Sequence, residues 1–263
     1  MPQAEHLNQI TALKQHFEQL FPGKWATAGE KTRALLTGLP EIDGNLSRGL
    51  ARQRITEWAG RTSSGKTTVL RAAIANWCAS GLDVAYIDAG CRLLAADWAF
   101  VGQKADACAP GQEAGRFWVI RAACPEQARP ASSSRDELYI ADLLLRSGSF
   151  DVVVLDLGAG SPSSRMYARL TRSLAGSKAA LIILKDDLSA PPGWGCHTRL
   201  SFRWAEDACC EPGINGPAMI TPAVRLSIWR DGASKTTEVV LGSHVSNRLF
   251  THPQVPDRRA PKA

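Results

Sequence analysis

The run GRTSSGKTT, residues 60–68, has the residue types and spacing of a phosphate-binding loop. Gly60, Gly65, Lys66 and Thr67 satisfy G-x-x-x-x-G-K-[ST] in full, with Arg61, Thr62, Ser63 and Ser64 between the glycines and Thr68 behind them. Glycines here let the chain turn tightly, so that successive backbone N–H groups converge on one anion, and a helix starting at the lysine adds favourable potential. The lysine then reaches the β and γ phosphates of a nucleoside triphosphate such as ATP, and the Thr67 hydroxyl takes a coordination place on Mg²⁺. The alternative reading is a loop that keeps this shape without its ligand.

Asp156 closes the apolar run VVVLD. An acid at the end of a buried strand is where a parallel sheet presents a carboxylate to a magnesium ion and its waters, so Thr67 and Asp156 form the candidate metal set. A strand-ending Asp that caps a turn is the plainer reading of the same residue.

These groups need a scaffold of alternating strands and helices, and the sequence supplies the pattern. RITEWAG (54–60) reads as a strand entering the loop, and TTVLRAAIANWCASG (67–81) as the helix leaving it, closed by Gly81. DVAYIDA and KAALIILKDD read as buried strands, and RFWVIRA (116–122) and FDVVVLDLG (150–158) as further strands of the same series. RDELYIADLLLRSG, with Ser134 as its cap, and SSRMYARLTRSLAGS read as helices. The spacing predicts an α/β fold with a mainly parallel sheet flanked by helices. TRLSFRWAED, AVRLSIWRDG and KTTEVVLG alternate along short runs and predict antiparallel strands at the C-terminal edge.

The chain has 263 residues, of which 44% are hydrophobic, enough for a full core. Residues 1–34 read as an amino-terminal helix and arm, 35–245 as the core domain, and 246–263 as a basic, disordered tail. No apolar run approaches the roughly 18 residues that span a bilayer. Seven scattered cysteines, an odd number, suit a reducing compartment, and a cytoplasmic location is expected. The net charge of +6 permits contact with phosphate backbones without demanding it.

The segment TGLPEIDGNLSRGLARQRITEWAGRTSSGKTTVLRAAIANWCASGLDVAYIDA resembles the nucleotide-binding core of the RecA family, and the resemblance extends through FDVVVLDL, ALIILKDD and VRLSIWRDG, about residues 36 to 242. Thr37, Gly38, Ile42 and Asp43 stand where the family has its TG…LD lead-in. The resemblance implies a RecA-like P-loop core. It also implies that the strand after the first helix should end in a glutamate that polarises the attacking water; this chain has Gly90 there, and glycine cannot act as a base. Asp88, two residues earlier, lies about 7 Å from the required position. The family's polar sensor, usually glutamine, corresponds to Lys185. No catalytic residue is assigned, and weak or absent hydrolysis is expected. The connections that follow Asp156 and Lys185 are also far shorter than the family's DNA-binding loops.

LKQHFEQLFPGKW (13–25), followed by TG…LD, resembles the ImuA-type proteins. That resemblance implies a DNA damage-induced (SOS) accessory factor in translesion synthesis and mutagenesis, with RecA and an ImuB-type polymerase-like protein as partners. A DNA-stimulated ATPase acting as a recombination mediator is the other reading. Leu7, Ile10, Leu13, Phe17 and Leu20 place an apolar face on the amino-terminal helix, suited either to a partner or second copy or to folding back on the chain's own core. Trp194, Arg199, Arg203, Arg225 and Arg230 are candidates for weak single-stranded DNA contact, or surface residues of edge strands.

Overall fold

A computed structural model describes residues 34–46, 49–101, 113–121, 135–158, 160, 162–186, 188, 192–193, 195–204, 210–211, 219–220, 223–230 and 233–240. The helix expected over residues 5–20, the cap Ser134, Trp194 and the tail from 246 lie outside them.

Eight strands form one sheet: β1 (Ile55–Ala59), β2 (Val84–Asp88), β3 (Phe117–Ile120), β4 (Val152–Asp156), β5 (Ala180–Lys185), β6 (Cys196–Trp204), β9 (Ala223–Arg230) and β10 (Ala233–Val240), in the order β10-β9-β6-β1-β5-β4-β2-β3. A separate two-stranded ribbon pairs β7 (Cys210–Glu211) with β8 (Met219–Ile220) and had no counterpart in the expected pattern. From β3 to β6 every pairing is parallel, and β9 and β10 add antiparallel strands at the edge. One expectation is corrected: β6, read as antiparallel, runs parallel to β1 and takes β9 as its antiparallel neighbour. Alternation in β6 records that the strand is only partly covered, and a strand at the junction of the parallel and antiparallel parts has one neighbour of each kind.

Side-chain alternation along the central strands divides the core into two layers. Val84 and Tyr86 of β2, Val152 and Val154 of β4, and Ile182 and Leu184 of β5 pack with α2 (Lys66–Ala79), whose Val69, Leu70, Ile74 and Trp77 are buried. Val153, Leu155, Leu181 and Ile183 face the other way, against α4 (Arg135–Ser147) and α5 (Ser164–Ala175). Two short helices, α1 (Pro40–Asn45) and α3 (Ala95–Trp98), lie on the first layer's side, where Ile42 and Trp98 join its core.

The TG…LD lead-in is a clasp on α2. The Asp43 carboxylate accepts from Thr37 N (2.8 Å), Thr37 Oγ1 (2.9 Å) and Gly38 N (2.9 Å). Asn76 Nδ2 and Trp77 Nε1 on α2 donate to Thr37 O and Leu36 O, at 3.0 and 2.6 Å. The clasp thus fixes the helix that carries the glycine loop. Among the described residues, no helix is long and apolar enough to cross a membrane.

Candidate functional site

The site lies where the geometry of a parallel α/β sheet places one, beyond the carboxyl ends of the strands and at the amino terminus of a helix. β1 ends at Ala59, the loop follows, and α2 begins at Lys66 behind an N-cap residue, Gly65, with φ of 85°. Ser63 also takes a left-handed φ, 62°, so the loop alternates hands in the way that turns successive N–H groups inward. Strands β6 and β9 brace it. Trp204 of β6 donates its indole N–H to Ser63 O, and Val224 of β9 lies so close under Gly65 that a Cβ there would meet it at 2.5 Å.

A cleft of about 180 Å³ opens in front of the loop. Of the loop residues, Thr62, Ser63, Lys66 and Thr67 line it, and Asp156 lines it from the end of β4. Gly60, Ser64 and Gly65 are buried behind; Arg61, which is exposed, and Thr68 stand outside the lining. Asp156 shares the α2 side of the sheet with Val152 and Val154, as period-two alternation dictates. Its Oδ2 accepts from Tyr86 Oη (2.7 Å) and its Oδ1 from Gly158 N (3.1 Å). Burial and the Asp156 carboxylate push the Tyr86 phenol far above its ordinary value, so it stays a donor.

Six polar or aromatic lining residues were not singled out from sequence: Arg71, Tyr86, Arg92, Asp97, Trp98 and Asp186. Asp186 is the most consequential. One carboxylate oxygen accepts from Lys66 Nζ at 2.7 Å and the other from Arg92 Nη1 at 2.7 Å. Lys66 Nζ also donates to Gly60 O (2.9 Å). Burial works against the charged form of Asp186, but the hydrogen bonds and charges of Lys66 and Arg92 outweigh it and hold the carboxyl below the ordinary range. Arg71 Nη1 donates to Asp97 O (3.1 Å), and its guanidinium carbon lies 5.8 Å from the Trp98 ring centre.

Lys185, which the resemblance sets at the sensor position, does not face the cleft. Lys185 is the last residue of β5 and shares the face of Leu181 and Ile183, away from the cleft. Its Nζ donates to Glu57 Oε1 at 2.7 Å, with side chains 3% and 0% exposed. Tyr167 Oη and Gly193 N donate to the same oxygen. Asp186, one residue later, is the polar group that reaches the lysine of the loop.

Asp88 is occupied as well. Its Oδ1 accepts from Arg92 N (2.9 Å), and its Oδ2 from Leu93 N (3.0 Å) and Arg121 Nε (3.1 Å), so it shapes the turn after β2. Above that turn, Arg92 lies across two glycines: a Cβ on Gly90 would meet Arg92 Nε at 3.0 Å, and one on Gly158 would meet Arg92 Nη2 at 2.5 Å. Of the candidate nucleic-acid residues, Arg199 is buried (4% exposed), Arg225 is paired with Glu238, and Arg230 Nη1 donates to Leu46 O.

No family model matches the chain. Among characterised proteins it is similar to RecA of Frankia casuarinae, 34% identical over 177 residues, which is 65% of this chain and 46% of that protein. RecA of Mycolicibacterium vanbaalenii is 34% identical over 177 residues (65% of this chain, 45% of that protein). RecA of Cutibacterium acnes is 34% identical over 178 residues (65% and 46%). These similarities support a RecA-like family. The chain spans less than half the length of the relatives it matches.

The cleft fits a magnesium-bound nucleotide by the chemistry of its donors. A lysine at the amino terminus of α2, a threonine hydroxyl and a strand-end carboxylate converge on it, and Ser64 Oγ is buried without a hydrogen-bond partner among the described residues. The position where RecA resemblance requires a glutamate is instead glycine beneath a guanidinium.

Proposed function

We propose that the chain binds ATP with Mg²⁺ through residues 60–68 and Asp156, hydrolyses it weakly or not at all, and uses the bound state to present a surface to partners. The observation that carries this reading is the pairing of a complete phosphate cradle with Gly90 under Arg92. Lys66 and the loop N–H groups take the phosphates, while Thr67 and Asp156 take the magnesium. Among the described residues no carboxylate occupies the position that would polarise water, and the nearby Asp88 is engaged by Arg92 N, Leu93 N and Arg121.

The role proposed for this state is that of an ImuA-type accessory factor in DNA damage-induced translesion synthesis, contacting RecA and an ImuB-type polymerase-like protein. Residues 1–34 serve as the docking arm, for a partner or for a second copy, on the core of residues 35–245. Deleting residues 1–24 should then abolish association while the core stays folded, and co-elution of the deleted protein with its partner at parental strength refutes the arm's role. A second reading, a DNA-stimulated ATPase, is favoured by Asp97, a cleft-lining carboxylate whose side chain is 49% exposed and available to water.

Titration with ATP and magnesium tests the reading directly, because Trp98 lines the cleft and reports on its occupancy. A saturable fluorescence change that Lys66→Ala removes supports it; no change in the parent refutes it. Turnover stimulated strongly by single-stranded DNA, and lost in Asp97→Asn, establishes the ATPase reading in its place.

A further inference from the structure

The Asp186 carboxylate does in this structure what a phosphate does in a phosphate site. Its two oxygens each accept from a different cation, Lys66 and Arg92, both at 2.7 Å. Lys66 is the cation the loop motif assigns to the terminal phosphates. Arg92 belongs to no motif, yet it lines the same cleft and is joined to Lys66 through a single anion. Its guanidinium is half exposed, whereas Lys66 is 8% exposed, so the seat is closed on the lysine side and open on the arginine side.

The surrounding backbone shows that this placement is built. Arg92 N is fixed by Asp88 Oδ1, and the side chain runs over Gly90 and Gly158, where a Cβ would press on it and oblige it to shift. Asp186 N donates to Gly158 O (2.9 Å), so the main chain of Asp186 is pinned and its carboxylate can leave the seat by side-chain rotation alone.

We propose that Lys66 and Arg92 form a two-cation seat for the terminal phosphate of a bound nucleoside triphosphate, with Asp186 as the internal anion that fills the seat until that phosphate displaces it. The inference rests on the nucleotide-binding reading and adds to it a ligand, Arg92, and a selectivity. A planar guanidinium presents paired donors to phosphate oxygens, and such charge-assisted bonds are among the strong ones. A diphosphate engages Lys66 but offers no terminal group to Arg92, so it competes with Asp186 for one cation where a triphosphate competes for two. Gly90 fits the same design, because a carboxylate beside the seat would compete with the phosphate for Arg92.

The test is equilibrium binding of MgADP and of the non-hydrolysed β,γ-imido analogue of MgATP to the full chain, by calorimetry, for the parent, Arg92→Ala, Arg92→Lys and Asp186→Asn. The parent is expected to prefer the triphosphate analogue. Arg92→Ala should lose about tenfold or more of that preference, roughly what one charge-assisted hydrogen bond supplies, with its MgADP affinity little changed. Arg92→Lys should keep part of it, and Asp186→Asn should bind the analogue more tightly than the parent. An unchanged preference in both arginine variants overturns the seat, and weaker analogue binding by Asp186→Asn overturns the displacement. A parent that binds neither nucleotide refutes the underlying reading, an outcome visible before any variant is compared. The Arg92 side chain is half exposed, so its replacement is a surface substitution and leaves the core packing intact.

Discussion

Lys185 and Asp186 are consecutive in the chain and act on opposite faces of the sheet. The lysine ends β5 buried against Glu57 in the layer of α4 and α5, whereas the aspartate turns to the α2 side and holds Lys66 in the candidate site. Period-two alternation forces this division: Lys185 follows the parity of Leu181 and Ile183, and the next residue takes the other face. The end of β5 is thereby tied to a buried ion pair behind the sheet and to the glycine loop in front of it.

The lysine is consequently a stability residue. Lys185→Met should cost about 3 kcal/mol, because it strands a buried carboxylate whose second oxygen, Oε2, already has no hydrogen-bond partner among the described residues. Adding Glu57→Gln should recover most of the loss, since the pair is then replaced by neutral groups and Tyr167 and Gly193 N still have an oxygen to donate to. Urea denaturation of the two single variants and the double variant measures the coupling, and additive losses would show that the two residues are independent.

Asp186 should leave a pH signature. Its folded-state pKa is depressed, so the stability it contributes is present above the unfolded value of about 3.9 and is lost as pH falls through the lower folded value. The stability difference between the parent and Asp186→Asn is therefore expected to be flat above about pH 5 and to shrink on acidification. Comparing melts of the two proteins across that range cancels other carboxylates such as Asp142, whose folded pKa is also lowered. A difference that grows towards low pH has the wrong sign for this arrangement.

The clasp on α2 gives a third test. Asp43→Ala removes the acceptor for two backbone N–H groups and one hydroxyl and should destabilise the fold by about 2 kcal/mol, with Asp43→Asn costing less because one acceptor oxygen remains. Because Asn76 and Trp77 of α2 hold the same segment, the loss should also appear as faster amide exchange along α2. Exchange unchanged in α2 would mean that the clasp does not support the loop helix.

The sheet was readable from sequence because its central strands are uninterrupted apolar runs and its helices carry clear periodicity: VVVLD became β4 and ALIILK became β5. The direction of β6 was not readable, since its alternation reports partial cover and the strand has a parallel neighbour on one side and an antiparallel one on the other. In the site, the glycine loop and Asp156 were legible because one is a local motif and the other ends a strand. Asp186 also follows a buried run, so the signal that picked out Asp156 was present, but the resemblance drew attention to Lys185. Arg92 had no local signal: its position depends on Gly158, far along the chain, and on Asp186, and only the fold brings the three together.

Gly90→Glu separates a missing group from a rebuilt site. If Gly90 were simply a vacancy in otherwise working machinery, restoring the carboxylate would raise ATP turnover by the order of 10² to 10⁴ that a positioned base supplies. The structure predicts a different result, because a side chain at position 90 meets the Arg92 guanidinium at its first carbon. The introduced carboxylate pairs with that cation, which lowers its basicity and draws Arg92 away from the phosphate seat. Turnover in Gly90→Glu should therefore rise by less than about tenfold over the parent, and triphosphate binding should weaken. Single-turnover hydrolysis, measured together with analogue affinity, reads both effects. A gain of a hundredfold with affinity intact would show that Arg92 moves aside freely and that the absence of a base is the whole difference.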